Sequence, residues 1–359
     1  MAQTRRGCGC LVAALAVLLV VAGLVGWKVF WPWWQERQRF APPPASGGEL
    51  RVHVLDVGQA DSILIISPEG KTALVDAGNP GGGKKVLDAM NRLGVKQIDL
   101  LIATHAHADH IGGADEVINR TTVAAVLDSK VPNTTKNYQD FLAAIEAKGV
   151  KYIGAEPEQT FDLGGGARIF VLAPIQPYFT KDQLRSGGNE PNANSVVARL
   201  DYGDFSMLLT GDAEAQTEER MMSKGADIQT RILKVGHHGS KYASSEEFLK
   251  RGKFEAAIIS NGADNRYGHP SQEVLDRLKA LGIKIYRTDL QGEISITSKG
   301  QGYQIKTGRE AKEDLWAGRK AQKDDSSRTG FVAYGDFGPA PKPKENQNQN
   351  ANRKAAGSR

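Results

Sequence analysis

The sequence predicts an α/β domain over residues 50–307. Short apolar runs alternate there with amphipathic stretches, and several of the runs end directly in an acid or a histidine. Forty glycines in 359 residues supply many points for tight turns between such elements. Hydrophobic residues make up 40% of the chain. That is enough for a core in the middle, and one large domain with flanking segments fits the length better than three domains.

LRVHVLDV (50–57) is rich in β-branched residues and partly alternates, so it reads as a strand. SILIIS follows after a turn, and TALVD (72–76) is a third strand that ends in Asp76 before AGNPGGG. A helix is expected over about 83–93. IDLLIAT (98–104) is nearly continuous in apolar residues, as in a strand buried on both faces. A short helix near Gly113, a strand at 123–128, a helix over 137–148 and a strand at 168–174 come next, before a loop-rich stretch at 175–194. The second half repeats this grammar. Two strands surround a Tyr-Gly-Asp turn in 195–212, a helix lies near 214–224, and RILKVG (231–236) is a strand. The strands 256–260 and 284–288 flank a helix over 271–281.

The chemistry sits just past the ends of these strands. IDLLIAT runs straight into HAHADH, which holds His105, His107, Asp109 and His110. Imidazole nitrogens and carboxylates are good zinc or manganese ligands, and four of them in six residues are poor core filler. Asp212 follows the apolar run MLLT, where a carboxylate can bridge two metals; it also suits a helix N-cap. His237 and His238 follow the strand at 231–236, and His269 lies in Tyr-Gly-His-Pro. Six of the seven histidines fall in these three places; the seventh, His53, lies inside the first strand and reads as structural. Asp76 reads as an orienting group behind the ligands, and Asp56 as a weaker candidate for the same task. Lys234 and Lys241 read as solvated charges with at most a phosphate contact.

HAHADH resembles the HxHxDH signature of the metallo-β-lactamase superfamily. LDVGQADS, LVDAG, THAHADHIGG, NANS, LLTGD, LKVGHHGS and YGHPS together resemble the extracytoplasmic hydrolase domain of competence DNA-uptake channel proteins, from about Leu50 to Ile305. The resemblance implies a four-layer αββα sandwich with two mixed sheets inside and helices outside. It implies two divalent metal ions, Zn or Mn. His105 and His107 would hold the first; Asp109 and His110 would hold the second, joined by Asp212 and by His237 or His238. Asp109 would also orient the nucleophile, and His269 would contact the transition state or bind metal. Two departures stand out. The family supplies a third histidine to the first metal from the segment between the two halves, but that segment reads NEPNANS here, so Asn192 or Asn194 would have to substitute or hold a water. Ala60 stands where the family has glycine.

The ends have a different character. Residues 1–6 read as a cytoplasmic N-terminus. Residues 7–27 (GCGCLVAALAVLLVVAGLVGW) carry no charge and are long enough for a transmembrane anchor. Arg5 and Arg6 before the run and four tryptophans at its far end suit that reading, although Lys28, Arg37 and Arg39 also lie beyond it. Residues 28–49 read as an interfacial segment and Pro-rich linker, and 308–359 as a largely disordered tail. The expected location is a single-pass cell-membrane protein with its catalytic domain outside the cytoplasm. The only cysteines, Cys8 and Cys10, open the apolar run, which excludes a disulfide framework in the domain. A net charge of +5 is mild, and no basic–aromatic interleaving marks a single-strand binding segment. The expected function is a membrane-anchored, metal-dependent hydrolase, a phosphodiesterase or DNase with DNA or another phosphodiester as substrate. The alternatives are a hydrolase of a small or cell-envelope phosphodiester and a noncatalytic envelope-binding or assembly protein that keeps the fold. Nothing in the sequence indicates a protein partner.

Overall fold

A computed structural model describes residues 26–28, 31, 47–184, 190–263 and 265–321. Nearly all of the expected anchor (7–27), most of the linker (28–49) and residues 322–359 of the expected tail lie outside the described residues. Among the described residues no helix is long and apolar enough to cross a membrane.

Strands β1 (Leu50–Val54), β2 (Ile63–Ile66) and β3 (Thr72–Val75) pair antiparallel in chain order. Helix α1 (Gly83–Leu93) leads to the short β4 (Gln97–Ile98) and to β5 (Leu100–Ala103), which joins β3 in parallel. Helices α2 (Ala108–Ile111) and α3 (Ala114–Arg120) lead through β6 (Thr122–Val123) to β7 (Ala125–Asp128). Helix α4 (Lys136–Lys148) leads to β8 (Lys151–Gly154). The second sheet begins with β9 (Thr160–Gly164), β10 (Ala167–Ala173), β11 (Val197–Tyr202) and β12 (Phe205–Leu209), all antiparallel, with α5 (Glu190–Ala193) before β11. Helix α6 (Ala215–Ser223), β13 (Ile232–Lys234), α7 (Glu246–Gly252), β14 (Ala256–Ile259), α8 (Gln272–Ala280) and β15 (Lys284–Arg287) extend that sheet in parallel. After α9 (Thr288–Gln291), the strands β16 (Ile294–Ser298) and β17 (Gln304–Thr307) return to the first sheet. The orders are β17-β16-β1-β2-β3-β5-β7-β8 and β15-β14-β13-β12-β11-β10-β9.

Alternation along the strands builds the layers. Leu50, Val52 and Val54 of β1 point one way, into a core shared with Ile169, Val171, Leu200, Phe205 and Met207 of the other sheet. The opposite face of the first sheet, with Leu64, Leu74, Leu101 and Val126, packs on Val86, Met90, Val117 and Phe141 from α1, α3 and α4. The second sheet likewise lays Leu208, Leu233 and Ala257 against Met221, Phe248, Val274 and Leu278 of α6, α7 and α8. This is a four-layer α/β sandwich. Its helices end where the chain demands it: α1 and α4 stop at Gly94 and Gly149, both left-handed. Ser245 and Ser271 accept a backbone hydrogen bond at the starts of α7 and α8. His53 is structural; its Nδ1 lies 2.8 Å from Oε1 of Glu293, which Arg92 also holds. Ala60 is fully buried and avoids the left-handed region, so its backbone does not require the glycine.

Residues 308–321, assigned to the tail by composition, pack onto this domain. Arg287 is wholly buried and donates to the carbonyls of Leu315 (2.9 Å) and Ala317 (2.6 Å) while pairing with Asp289. Arg319 caps the same Asp289 at 2.8 Å, and Leu315 and Trp316 cover the third core. Composition missed this strap because two of its anchors are main-chain carbonyls, which any residue can offer, and the side-chain anchors Leu315, Trp316 and Arg319 form no apolar period. A chain ending at Thr307 should leave the Arg287 guanidinium short of acceptors. It should lose about 3 kcal/mol against a chain ending at Ala321, read as a lower urea midpoint.

Candidate metal centre

The centre forms where strands of both sheets end. β3 delivers Asp76, held at φ 57° in the left-handed region, which aspartate tolerates better than most residues. Its Oδ1 accepts the Thr104 amide (2.9 Å) and its Oδ2 accepts the Thr104 hydroxyl (2.8 Å) and faces His110 Nδ1 at 2.7 Å. That contact fixes the His110 ring and turns Nε2 inward. β5 delivers His105 through Thr104. His107 precedes α2, which carries Asp109 and His110. β12 delivers Asp212 through Gly211, where an added Cβ would meet Thr104 at 2.8 Å. β13 delivers His237 and His238, both left-handed (φ 47° and 52°).

Asp212 sits at the middle, and its two oxygens face different partners. Oδ1 lies 3.3 Å from His110 Nε2 and 3.6 Å from His238 Nε2; Oδ2 lies 3.9 Å from His105 Nε2 and 3.8 Å from His237 Nε2. Asp109 Oδ2 is 3.3 Å from His238 Nε2. Ligand atoms of Asp109, His110, Asp212 and His238 all lie within 4.8 Å of one another. His107 Nδ1 stands 2.9 Å from His105 Nε2. His110 Nε2, Asp212 Oδ1 and His238 Nε2 are buried and have no hydrogen-bond partner. Buried polar atoms are costly to leave unpaired, so this convergence fits a divalent cation, and the nitrogen–carboxylate set suits zinc or manganese.

Several groups behind the ligands escaped the sequence. Asp61, between β1 and β2, does what Asp56 was a candidate for: its Oδ1 lies 3.4 Å from His238 Nδ1, which also meets the Ser260 carbonyl at 2.8 Å. Asp56 instead faces Arg309 at 3.4 Å. Lys234 is not a solvated charge: it is 1% exposed and its Nζ lies 2.8 Å from Asp61. Glu214 is buried, with Oε1 3.5 Å from His237 Nδ1. Of the two asparagines, Asn192 reaches the centre, its amide nitrogen 3.3 Å from His237 Nδ1. Asn194 does not: it braces the loop, accepting from the Phe179 amide and donating to the carbonyls of Phe179 and Glu190, all at 2.9 Å. His269 stands beside His237, ring centres 5.4 Å apart, and Tyr267 stacks against it at 5.9 Å.

Charge in the centre is sharply divided. Burial works against a charged His110, but Asp212, Asp76 and Asp109 outweigh it and hold its pKa well above the usual 6.5. Burial is likewise overcome at His238, where Asp212 and Asp61 raise the pKa to about 10. Burial and the neighbouring His110 and His107 drive His105 well below the usual value. Burial and the neighbouring His237 and His238 push His269 down to about 3. Asp212 resists burial and stays ionised far below the usual range because His110, His238 and His237 surround it. A cation held by this set would therefore have to displace protons from His110 and His238. Both bind protons more tightly than free histidine, so metal affinity should rise as pH rises through neutrality, with about two protons released per binding event. Calorimetry in buffers of different ionisation heat reads that number, and a value of zero would refute this account.

A four-layer α/β sandwich that gathers histidines and carboxylates at its strand ends is the architecture of a metal-dependent hydrolase. Residues 55–262 match the Metallo-beta-lactamase superfamily, and the chain belongs to it. The chain is 30% identical over 275 residues to ComE operon protein 3 of Bacillus subtilis, a match covering 72% of this chain and 34% of that protein. It is also 30% identical over 261 residues to Competence protein ComA of Neisseria gonorrhoeae, covering 72% and 33%. The chain thus spans about a third of the length of these relatives, and the similarity to competence-related proteins is distant and partial. Among solved structures, the metallo-beta-lactamase fold protein YhfI from Bacillus subtilis matches 72% of this chain and 100% of its own, at 12% identity and a TM-score of 0.46.

Proposed function

We propose that this chain is a phosphodiesterase acting on DNA with two divalent cations, Zn or Mn. In this reading residues 7–27 hold it in a membrane with the catalytic domain outside the cytoplasm. The observation that carries the reading is the similarity to competence proteins across 72% of the chain. The surface adds support. Tyr267 is 44% exposed beside His269 with the Arg266 guanidinium 5.3 Å from its ring; Tyr242, 40% exposed, lies three residues past Gly239 with Lys241 Nζ at 5.2 Å. Aromatic faces beside cations suit bases and phosphates of a nucleic acid. Arg266 and Tyr267 lie on the loop that carries His269, and Lys241 and Tyr242 on the loop that follows His237 and His238.

When bound, the cations polarise the phosphoryl group and make a nucleophile available at neutral pH. Asp109 is the most solvent-reached of the central carboxylates and can orient that nucleophile by accepting its hydrogen bond. Asp76, Asp61 and Thr104 keep the rings of His110 and His238 in place. His269, with its pKa near 3, is neutral at pH 7 and has no extra proton to give. It serves by donating a hydrogen bond to the phosphoryl or leaving oxygen.

Full-length protein in detergent, loaded with Mn or Zn, should cleave linear double-stranded or single-stranded DNA. His107→Ala should lower the rate about 100-fold or more. Turnover of a small phosphodiester with every DNA form left intact would move the assignment to a small or envelope diester.

A further inference from the structure

We propose that the paired histidines split between two metals, with His237 completing the half of the centre that contains His105 and His107, and Glu214 orienting it. The inference rests on the two-cation reading above. Its starting point is the division made by Asp212. Oδ1 looks toward His110 and His238; Oδ2 looks toward His105 and His237. The first group already holds Asp109, His110 and His238 around Oδ1, so His237 is not needed there.

Three histidines share one arrangement. His110 presents Nε2 to Asp212 and Nδ1 to Asp76; His238 presents Nε2 to Asp212 and Nδ1 to Asp61 and the Ser260 carbonyl. His237 does the same, with Nε2 toward Asp212 (3.8 Å) and Nδ1 toward Glu214 (3.5 Å). A carboxylate on the far nitrogen is the usual support of a metal-binding imidazole. Glu214 is 1% exposed, one oxygen accepts from Gln216 at 3.1 Å, and the other has no hydrogen bond. A buried carboxylate oxygen needs a partner, and the His237 ring is the group in place to be one. Backbone strain points the same way. Left-handed non-glycine residues cost about 1–2 kcal/mol each, and two in succession aim neighbouring side chains to opposite sides of Asp212. Asn192 fills the space beside His237, its amide nitrogen against the ring and its Oδ1 buried and unpaired, so it is the competing ligand.

The test is cobalt titration of metal-stripped full-length protein in detergent, read by bound metal per chain and by visible absorption. Wild type should take up two equivalents with two distinguishable spectra. His237→Gly, which keeps the left-handed backbone free of strain, should take up one. The double variant Asn192→His, His237→Gly should recover the second. Glu214→Gln should keep two equivalents but weaken one about 10–100-fold. Two equivalents of unchanged affinity in His237→Gly, or loss of one in Asn192→Ala alone, would overturn the assignment of His237 while leaving the two-cation reading intact. A single equivalent in wild type would overturn both.

Discussion

Asp212→Ala should lower metal-dependent hydrolysis about 1,000-fold or more and strip cation from the centre. The carboxylate meets His110 and His238 with one oxygen and His105 and His237 with the other. Asp109 lies against His238 and His110, with only one oxygen near them, so it does not reproduce that two-sided contact. Metal analysis of the purified variant is the check, beside rate measurements at saturating metal. Near-normal metal content would refute a ligand role for Asp212; the alternative that it caps the following helix is already ruled out, since that helix starts at Ala215 with Glu214 in the cap position. The variant should also lose stability when metal-free. The pKa of Asp212 is depressed, so its contribution is present above the unfolded value near 3.8 and fades as pH falls through the folded value. The gap in urea midpoint between wild type and variant should therefore be wide at pH 7 and close in strong acid.

Lys234→Met should cost about 3–5 kcal/mol of folding stability. Lys234 and Asp61 lie 2.8 Å apart with almost no exposure, and the same aspartate faces His238. Burial pushes the Asp61 carboxyl up, but Lys234 and His238 outweigh it and keep it ionised well below the usual range. Methionine fills the space of lysine and leaves that charge without its main partner. Adding Asp61→Asn should return part of the loss, since both members of the pair are then neutral. Urea unfolding with an unchanged slope reads the difference. A loss under about 1 kcal/mol for Lys234→Met would mean that water or His238 compensates the aspartate.

These two sites also show what a linear reading can and cannot reach. HAHADH was legible because strand, turn and ligands lie within one stretch, and the apolar run before it fixed the direction of the turn. Asp212 was legible for the same reason. The helix expected over about 83–93 spans Gly83–Leu93, since its buried Val86, Ala89 and Met90 follow the helical period and Gly94 ends it. β8 and β9 were not expected. KYIG is half solvated and gives no alternation, and TFDLG is interrupted by an acid. β16 and β17 alternate plainly and pair with each other, but the strand that β16 joins, β1, is 240 or more residues away, so their place was not legible. Asp61, Glu214 and Lys234 were hidden differently. Each is an ordinary charge by type, and burial made by distant elements gives it a role. Which oxygen of Asp212 each of His237 and His238 faces likewise needed the geometry of the turn.

The return of β16 to β1 carries a consequence for how the domain is made. Leu50 pairs with Ser298 and Val54 with Ile294, so the second strand neighbour of β1 is among the last parts of the domain to be synthesised. Contacts of such long sequence separation are slow to close. Until Ile294–Ser298 has left the ribosome, β1 presents unpaired amides and carbonyls along one side, next to Val52 and Val54. An exposed apolar strand of that kind recruits other chains. A nascent chain halted before residue 294 should thus be far more prone to association than the finished domain, however complete its histidine cluster.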